Sequence, residues 1–258
     1  MFRYTTVSIL FFIIFFAMIV LNQRHAISVW TLLVPVVLYL TILVLGSTRI
    51  GLNFYFFSHC KIKTNEKIIA LSFDDGPNPL VTPKLLDILE KHEAKATFFC
   101  LGEKISKNKS ITKKTDHNGH LIGNHTYTHH KWFDLFSSNK MAAEIKATNK
   151  EIEHTIGKKP TLFRPPYGVT NPTLKKALEN TNMFSIGWSL RSFDTIRDKQ
   201  KVLKKLKSKT KAGDVILFHD TDEKIIPIID EYLYWLKNNE YKIVSLDKLF
   251  NIEAYETA

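Results

Sequence analysis

The stretch Ile68 to Pro79 reads IIALSFDDGPNP: an apolar run ends in two adjacent carboxylates, Asp74 and Asp75, followed by Gly76 and Pro77. Like charges at the end of a buried strand repel, and each is costly to desolvate unless a cation pairs with it. In isolation DDGP would simply cap a turn. Further along, GNHTYTHH sets His125 and His129 four residues apart, so one helical turn or tight loop can aim both imidazoles at one ion. His120 and His130 stand beside them and can be mistaken for ligands. Two neutral imidazoles and one carboxylate suit Zn²⁺, with Co²⁺, Ni²⁺, Mn²⁺ or Fe²⁺ as other divalent occupants, and three protein ligands leave a position open for water. One aspartate then binds the metal, and the other takes a proton from the attacking water. Gly76 and Pro77 turn the chain so that the two can point apart.

FRPPYG, Phe163 to Gly168, adds a rigid loop and a buried-looking Arg164 that can fix and charge-balance the free carboxylate. After Pro166 the backbone can present the Tyr167 N–H to a developing oxyanion. GDVILFHD ends in His219, a candidate general acid. Asp194, in WSLRSFDT, can orient it; Asp220 is the rival partner, although an adjacent residue usually points away. Together these parts describe hydrolysis at a carbonyl. No Gly-rich dinucleotide fingerprint, phosphate cradle or nucleophilic Ser elbow occurs.

Positioning these groups needs strands that end at one face. Strands are expected at 67–73, 96–101, 120–124, 161–164, 183–188, 215–219 and 242–245, alternating with helices at 82–93, 139–156, 172–180 and 225–239. The alternation argues a parallel α/β arrangement. Because reactive side chains recur just past five strand ends, a (β/α) barrel, whose strand ends converge on one face, is favoured over an open sheet.

Two uncharged apolar stretches, 4–21 and 26–46, precede all of this and approach the length of a membrane span. Only NQRH, Asn22 to His25, joins them, and no small-x-small cleavage site follows Leu21. The expected organisation is a two-helix membrane anchor over 1–48, a linker over 49–66 and a catalytic domain over 67–258. The 258-residue chain carries a net charge of +11. Its densest basic run, Lys199 to Lys211, has Val202, Leu203 and Leu206 at helical spacing, so it reads as a solvated lysine face on an amphipathic helix. Anionic lipid headgroups or an acidic polymer are the other partners it could meet. No aromatic-interleaved basic motif accompanies it, so a nucleic-acid partner is not expected. Cys60 and Cys100 form no CxxC, and Cys100 reads as a buried free thiol.

These residues resemble the polysaccharide deacetylases, carbohydrate esterase family four, with their NodB-type homology domain. SFDDGP, HTYTH, RPPY and LFH match four of the family's motifs in order between about residues 67 and 245. The resemblance implies a distorted (β/α) barrel of about seven strands and a metal-dependent hydrolase that removes acetyl groups from glycans. It makes Asp74 the base, and Asp75, His125 and His129 the metal ligands. Arg164 would pair with Asp74, the Tyr167 N–H would stabilise the oxyanion, and His219, tuned by Asp194, would protonate the departing amine. Leu217 would line the acetyl pocket. One motif departs: where members show D-x-x-D-W, RSFDT places Arg191 and Thr195 at the first Asp and the Trp. The expected substrate is an acetylated glycan. Peptidoglycan N-acetylglucosamine comes first, then a lipid-linked or surface saccharide, an O-acetyl ester, or a non-catalytic glycan-binding role. No obligate protein partner is inferred. The domain is expected to face outward from the cytoplasmic membrane, although Arg3, Arg49, Lys61 and Lys63 outnumber Arg24 in the loop between the spans, which by charge alone favours the opposite orientation.

Overall fold

The structure, a computed structural model, describes residues 3–256. It begins with a hairpin of two helices, α1 (Tyr4–Gln23) and α2 (Leu33–Thr48), the second preceded by a 3₁₀ turn at Val29–Leu32. The two continuous segments, Tyr4–Gln23 and Val29–Thr48, are 20 residues each and apolar enough to cross a membrane, about 30 Å of helix. They meet where Phe11 stacks on Tyr39 at 4.2 Å and Ser8 Oγ hydrogen-bonds the Tyr39 hydroxyl at 2.8 Å.

After the hairpin, strands alternate with helices. The strands are β1 (Ile68–Gly76), β2 (Thr97–Cys100), β3 (Leu121–Asn124), β4 (Leu162–Phe163), β5 (Phe184–Ser185), β6 (Leu190–Arg191), β7 (Val215–His219) and β8 (Lys242–Ile243). The helices are α3 (Thr82–Lys91), α4 (Gly102–Lys107), α5 (Lys109–His117), α6 (Ser138–Ile156), α7 (Pro172–Glu179), α8 (Lys199–Lys209), α9 (Ile225–Asn238) and α10 (Leu246–Phe250). Parallel pairing runs β5-β4-β3-β2-β1-β7-β6, with β8 against the start of β1. This is a distorted (β/α) barrel whose end strands, β5 and β6, do not pair with each other. Two of the strands are shorter than the expected 161–164 and 183–188. The two-residue β6 lies inside WSLRSFDT, which has no apolar run to announce a strand.

Alternation along the strands divides the interior. Ile69, Leu71 and Phe73 of β1 and Ile216 and Phe218 of β7 face the helices and join Leu85, Leu89, Ile228 and Leu236 in the main core. Ala70 and Val215 face the other way, with Phe99, Leu162 and Ile186, inside the barrel. Ser72, Asp74, Leu217 and His219 share that inner face by the same alternation. α8 buries Val202, Leu203 and Leu206 and leaves its lysines outward, with Asp198 capping its first turn. α6 is capped by Ser137 and ends at Gly157, whose φ of 72° suits a residue without a Cβ.

The residues between hairpin and β1 are packed rather than loose. Ile50, Phe54, Ser58 and Cys60 are buried. The His59 N–H donates to the Ser185 carbonyl at 2.8 Å, and the Gly187 N–H donates to the His59 carbonyl at 2.9 Å. The chain therefore lies along the free edge of β5. Ile62 then reaches the Gly213 carbonyl, just before β7.

Candidate active site

β1 carries a bulge. Asp74 pairs with Phe99, but Gly76 rather than Asp75 pairs with Cys100, and Asp75 has φ of 73°. A bulge re-aims a side chain. The two carboxylates diverge because Asp75 itself leaves the ladder; the turn at Gly76 and Pro77 comes only afterwards.

Asp74 is 4% exposed and its Oδ1 accepts from Arg164 Nη1 at 2.7 Å. Arg164 is fully buried and uses every arm of its guanidinium. Nη1 also donates to Ser72 Oγ at 2.8 Å, Nε to the Ile186 carbonyl at 3.2 Å, and Nη2 to the Gly187 carbonyl at 2.9 Å. Its Cζ lies 4.1 Å from the centroid of the Phe99 ring. Ser72 was not singled out from the sequence, yet its i, i+2 spacing from Asp74 on β1 was the available signal.

The histidine loop is a tight turn rather than a helix. Asn124 Oδ1 accepts from the Thr126 N–H, and Thr126 Oγ1 accepts from the His129 N–H. Glu144 of α6 holds the middle by accepting from the N–H groups of Tyr127 and Thr128. Glu144, too, carried no motif. His125 directs Nδ1 at the Arg164 carbonyl, 2.8 Å away, which leaves Nε2 for the cavity. Asp75 Oδ1 lies 3.5 Å from His125 Nε2 and 3.6 Å from His129 Nε2. It is buried with no hydrogen-bond partner. Ligands at about 2.0–2.1 Å around one tetrahedral ion would stand roughly 3.4 Å apart, so these three atoms fit a divalent metal better than they fit each other. His120 and His130 lie outside this set; His120 Nδ1 accepts from the Ala96 N–H.

Burial would raise the Asp75 carboxyl, but His125, followed by His129 and His219, holds it below the ordinary range. Lys104 Nζ donates to the Asp75 carbonyl at 2.7 Å. On the opposite wall Asp194 grips His219 twice: Oδ2 accepts from its backbone N–H at 3.0 Å, and Oδ1 lies 3.2 Å from Nδ1. Ser192 Oγ donates to the same carboxylate. Burial pulls the imidazole's pKa down, but Asp194, and more weakly Asp74 and Asp75, push it above its usual value. Asp220 points away, against Gly76 and Thr82, so Asp194 is the His219 partner. Tyr167 has φ of 57° and its ring packs 4.8 Å from that of His129. Leu217 is buried beside Ser72 in the β1–β7 register. Asp74, Asp75, His125, His129, Arg164, Asp194 and His219 thus gather at the carboxyl ends of the strands, whereas His120, His130 and Asp220 stand apart from them.

Known proteins resemble this chain in sequence and fold. Residues 61–185 match the polysaccharide deacetylase family. The peptidoglycan-N-acetylglucosamine deacetylase PgdA of Listeria monocytogenes is 36% identical over 74% of this chain, which spans only 40% of the length of that relative. A peptidoglycan-N-acetylglucosamine deacetylase of Bacillus cereus is 33% identical over 73% of this chain and 91% of its own length. The crystal structure of the Bc1960 peptidoglycan N-acetylglucosamine deacetylase superposes with a TM-score of 0.72 at 31% identity, covering 76% of this chain and 94% of that one. A Bacillus anthracis member described as a pseudoenzyme superposes at 0.69 with 27% identity, covering 74% of this chain and 67% of its own. Motif order, barrel topology and these relatives place the chain in the polysaccharide deacetylase family.

Proposed function

We propose that the chain is a membrane-anchored, metal-dependent N-deacetylase of amino-sugar glycans, with peptidoglycan N-acetylglucosamine as the leading substrate. The observation that carries this reading is the orphaned Asp75 Oδ1 between two imidazole nitrogens, beside a separate aspartate held by a buried arginine. Asp75, His125 and His129 would hold a divalent ion, most suitably Zn²⁺, which supplies Lewis acidity towards the acetyl carbonyl and its attacking water. Asp74, aimed by Arg164, accepts the proton from that water as its oxygen adds to the carbonyl carbon. The Tyr167 N–H donates to the carbonyl oxygen as charge develops there. His219, oriented by Asp194, which raises its pKa against the effect of burial, gives its proton to the sugar nitrogen as the C–N bond breaks, releasing acetate and a free amine. Leu217 would pack against the acetyl methyl. A glycan-binding role without turnover would need neither the base nor the acid, and both are present with their partners.

The hairpin supplies the anchor in this reading, and a cell-wall substrate places the domain outside the cytoplasmic membrane. Full-length protein in detergent, supplied with Zn²⁺, is expected to release acetate from N-acetylated peptidoglycan and chitooligosaccharides, and more slowly from acetylxylan. Release from none of them by metal-loaded protein would refute the reading.

A further inference from the structure

The hairpin is fastened to the rim of the site. The Ser47 carbonyl, one residue from the end of α2, accepts from the Thr170 N–H at 3.0 Å, and Thr170 Oγ1 donates to the Gly46 carbonyl at 3.3 Å. Thr170 is buried and lies three residues from Tyr167, at most about 11 Å of chain. The start of α1 is tied to the same place, since the Tyr4 N–H donates to the Phe54 carbonyl at 3.1 Å and Phe54 packs on Gly46. Ile50 follows against Gly187, where a Cβ would stand 3.1 Å from Ile50 Cγ2, and the Gly187 carbonyl holds Arg164. No flexible span separates the helices from the residue that aims Asp74.

A hairpin in the bilayer, as proposed above, therefore fixes the site near the headgroup layer, which adds only about 5–7 Å to each side of the hydrocarbon core. Trp132, Leu135 and Tyr167 stand exposed on this rim, and Asn171 Nδ2 ties their neighbourhood together through the Asp134 carbonyl at 2.7 Å. Exposed Trp and Tyr suit a membrane–water boundary.

Around the end of β6 lies a cluster of positive charge. Arg191, Arg197 and Lys205 gather on the Phe193 ring at 5.3, 4.6 and 3.8 Å. Among the described residues none of the three has a carboxylate in ion-pair range, and Arg191 Nε is buried without a partner. Arg191 pairs in register with Leu217, which puts both on the inner face, one strand from the Asp194–His219 pair. Unpaired guanidinium groups beside a reactive centre suit a phosphate.

We propose that the substrate is an acetylated amino sugar still joined through a phosphate to a membrane lipid, taken at the bilayer surface with that phosphate against Arg191, Arg197 and Lys205. This deepens, and rests on, the deacetylase reading. The test uses full-length protein, loaded with Zn²⁺, in vesicles of neutral phospholipid. Three forms of one sugar are compared by mass spectrometry: an N-acetylglucosamine phosphoglycolipid in the same vesicles, the same lipid in separate vesicles, and a water-soluble N-acetylglucosamine oligomer. Turnover in the same vesicles should exceed both others at least tenfold. Substituting Arg191→Ala with Arg197→Ala should lower the preference for the phosphoglycolipid over a phosphate-free glycolipid by about tenfold. Equal rates on all three forms, or a faster rate on the oligomer, would overturn the membrane-surface substrate and leave deacetylation standing. An unchanged preference in the double variant would overturn the phosphate contact. Failure on every form would overturn the deacetylase reading itself.

Discussion

Replacing Arg164 with methionine tests the buried ion pair that aims the proposed base. The substitution keeps much of the side-chain volume but leaves the Asp74 carboxylate, 4% exposed, without the guanidinium at 2.7 Å. Breaking a buried pair from one side costs about 3–5 kcal/mol, because an uncompensated charge stays behind. For a domain of this size 1 kcal/mol corresponds to roughly 2–4 °C in Tm, so Arg164→Met should lower Tm by about 6–20 °C. In an Asp74→Asn background no charge is stranded, and the same change forfeits only hydrogen bonds to Ser72, Ile186 and Gly187, about 1–3 kcal/mol. The two substitutions should therefore be non-additive by about 2 kcal/mol. Thermal unfolding of the four full-length proteins in one detergent, with metal supplied, measures the cycle. A loss below about 2 °C for Arg164→Met, or additive losses in the double variant, would refute the pairing.

Asp75→Asn and His129→Ala should each weaken Zn²⁺ binding by at least about tenfold, read by calorimetry, since each removes a proposed ligand. Asp194→Asn should move the basic limb of the pH–rate profile to lower pH. His219 acts as an acid only while protonated, its pKa is held up chiefly by Asp194 against the effect of burial, and losing that carboxylate lets the proton leave earlier as pH rises. An unchanged limb would contradict the assignment.

Much of this site was legible because its residues sit at the carboxyl ends of strands, where an apolar run stops at a polar group: Asp74 after SF, Arg164 after LF and His219 after LF. Apolar period also placed α8 and α9. What was not legible depends on residues far apart in the chain. β6 has two residues and is held by β7 rather than by its own pattern. Ser72, Glu144 and Gly187 matter through hydrogen bonds to Arg164 and the histidine loop, and nothing local to them announces this. The stretch over 49–66 reads as a connector because its apolar residues have no regular spacing; Ile50 and Cys60 are nevertheless buried, and both pack against Gly187, far away in the chain. The bulge at Asp75 likewise arises from pairing with β2, which the sequence of β1 does not display.

The division of labour between the two adjacent aspartates is the centre of the account, and Asp74→Asn examines it most directly. Acetate release from an N-acetylated glycan and bound Zn²⁺ are measured on the same full-length preparation. The variant should keep its full complement of metal, because Asp75, His125 and His129 are untouched, and lose turnover by about 10²–10⁴, the usual contribution of a general base. An Asp74→Asn protein that loses its metal along with its rate, or that works within tenfold of the parent, would contradict the account.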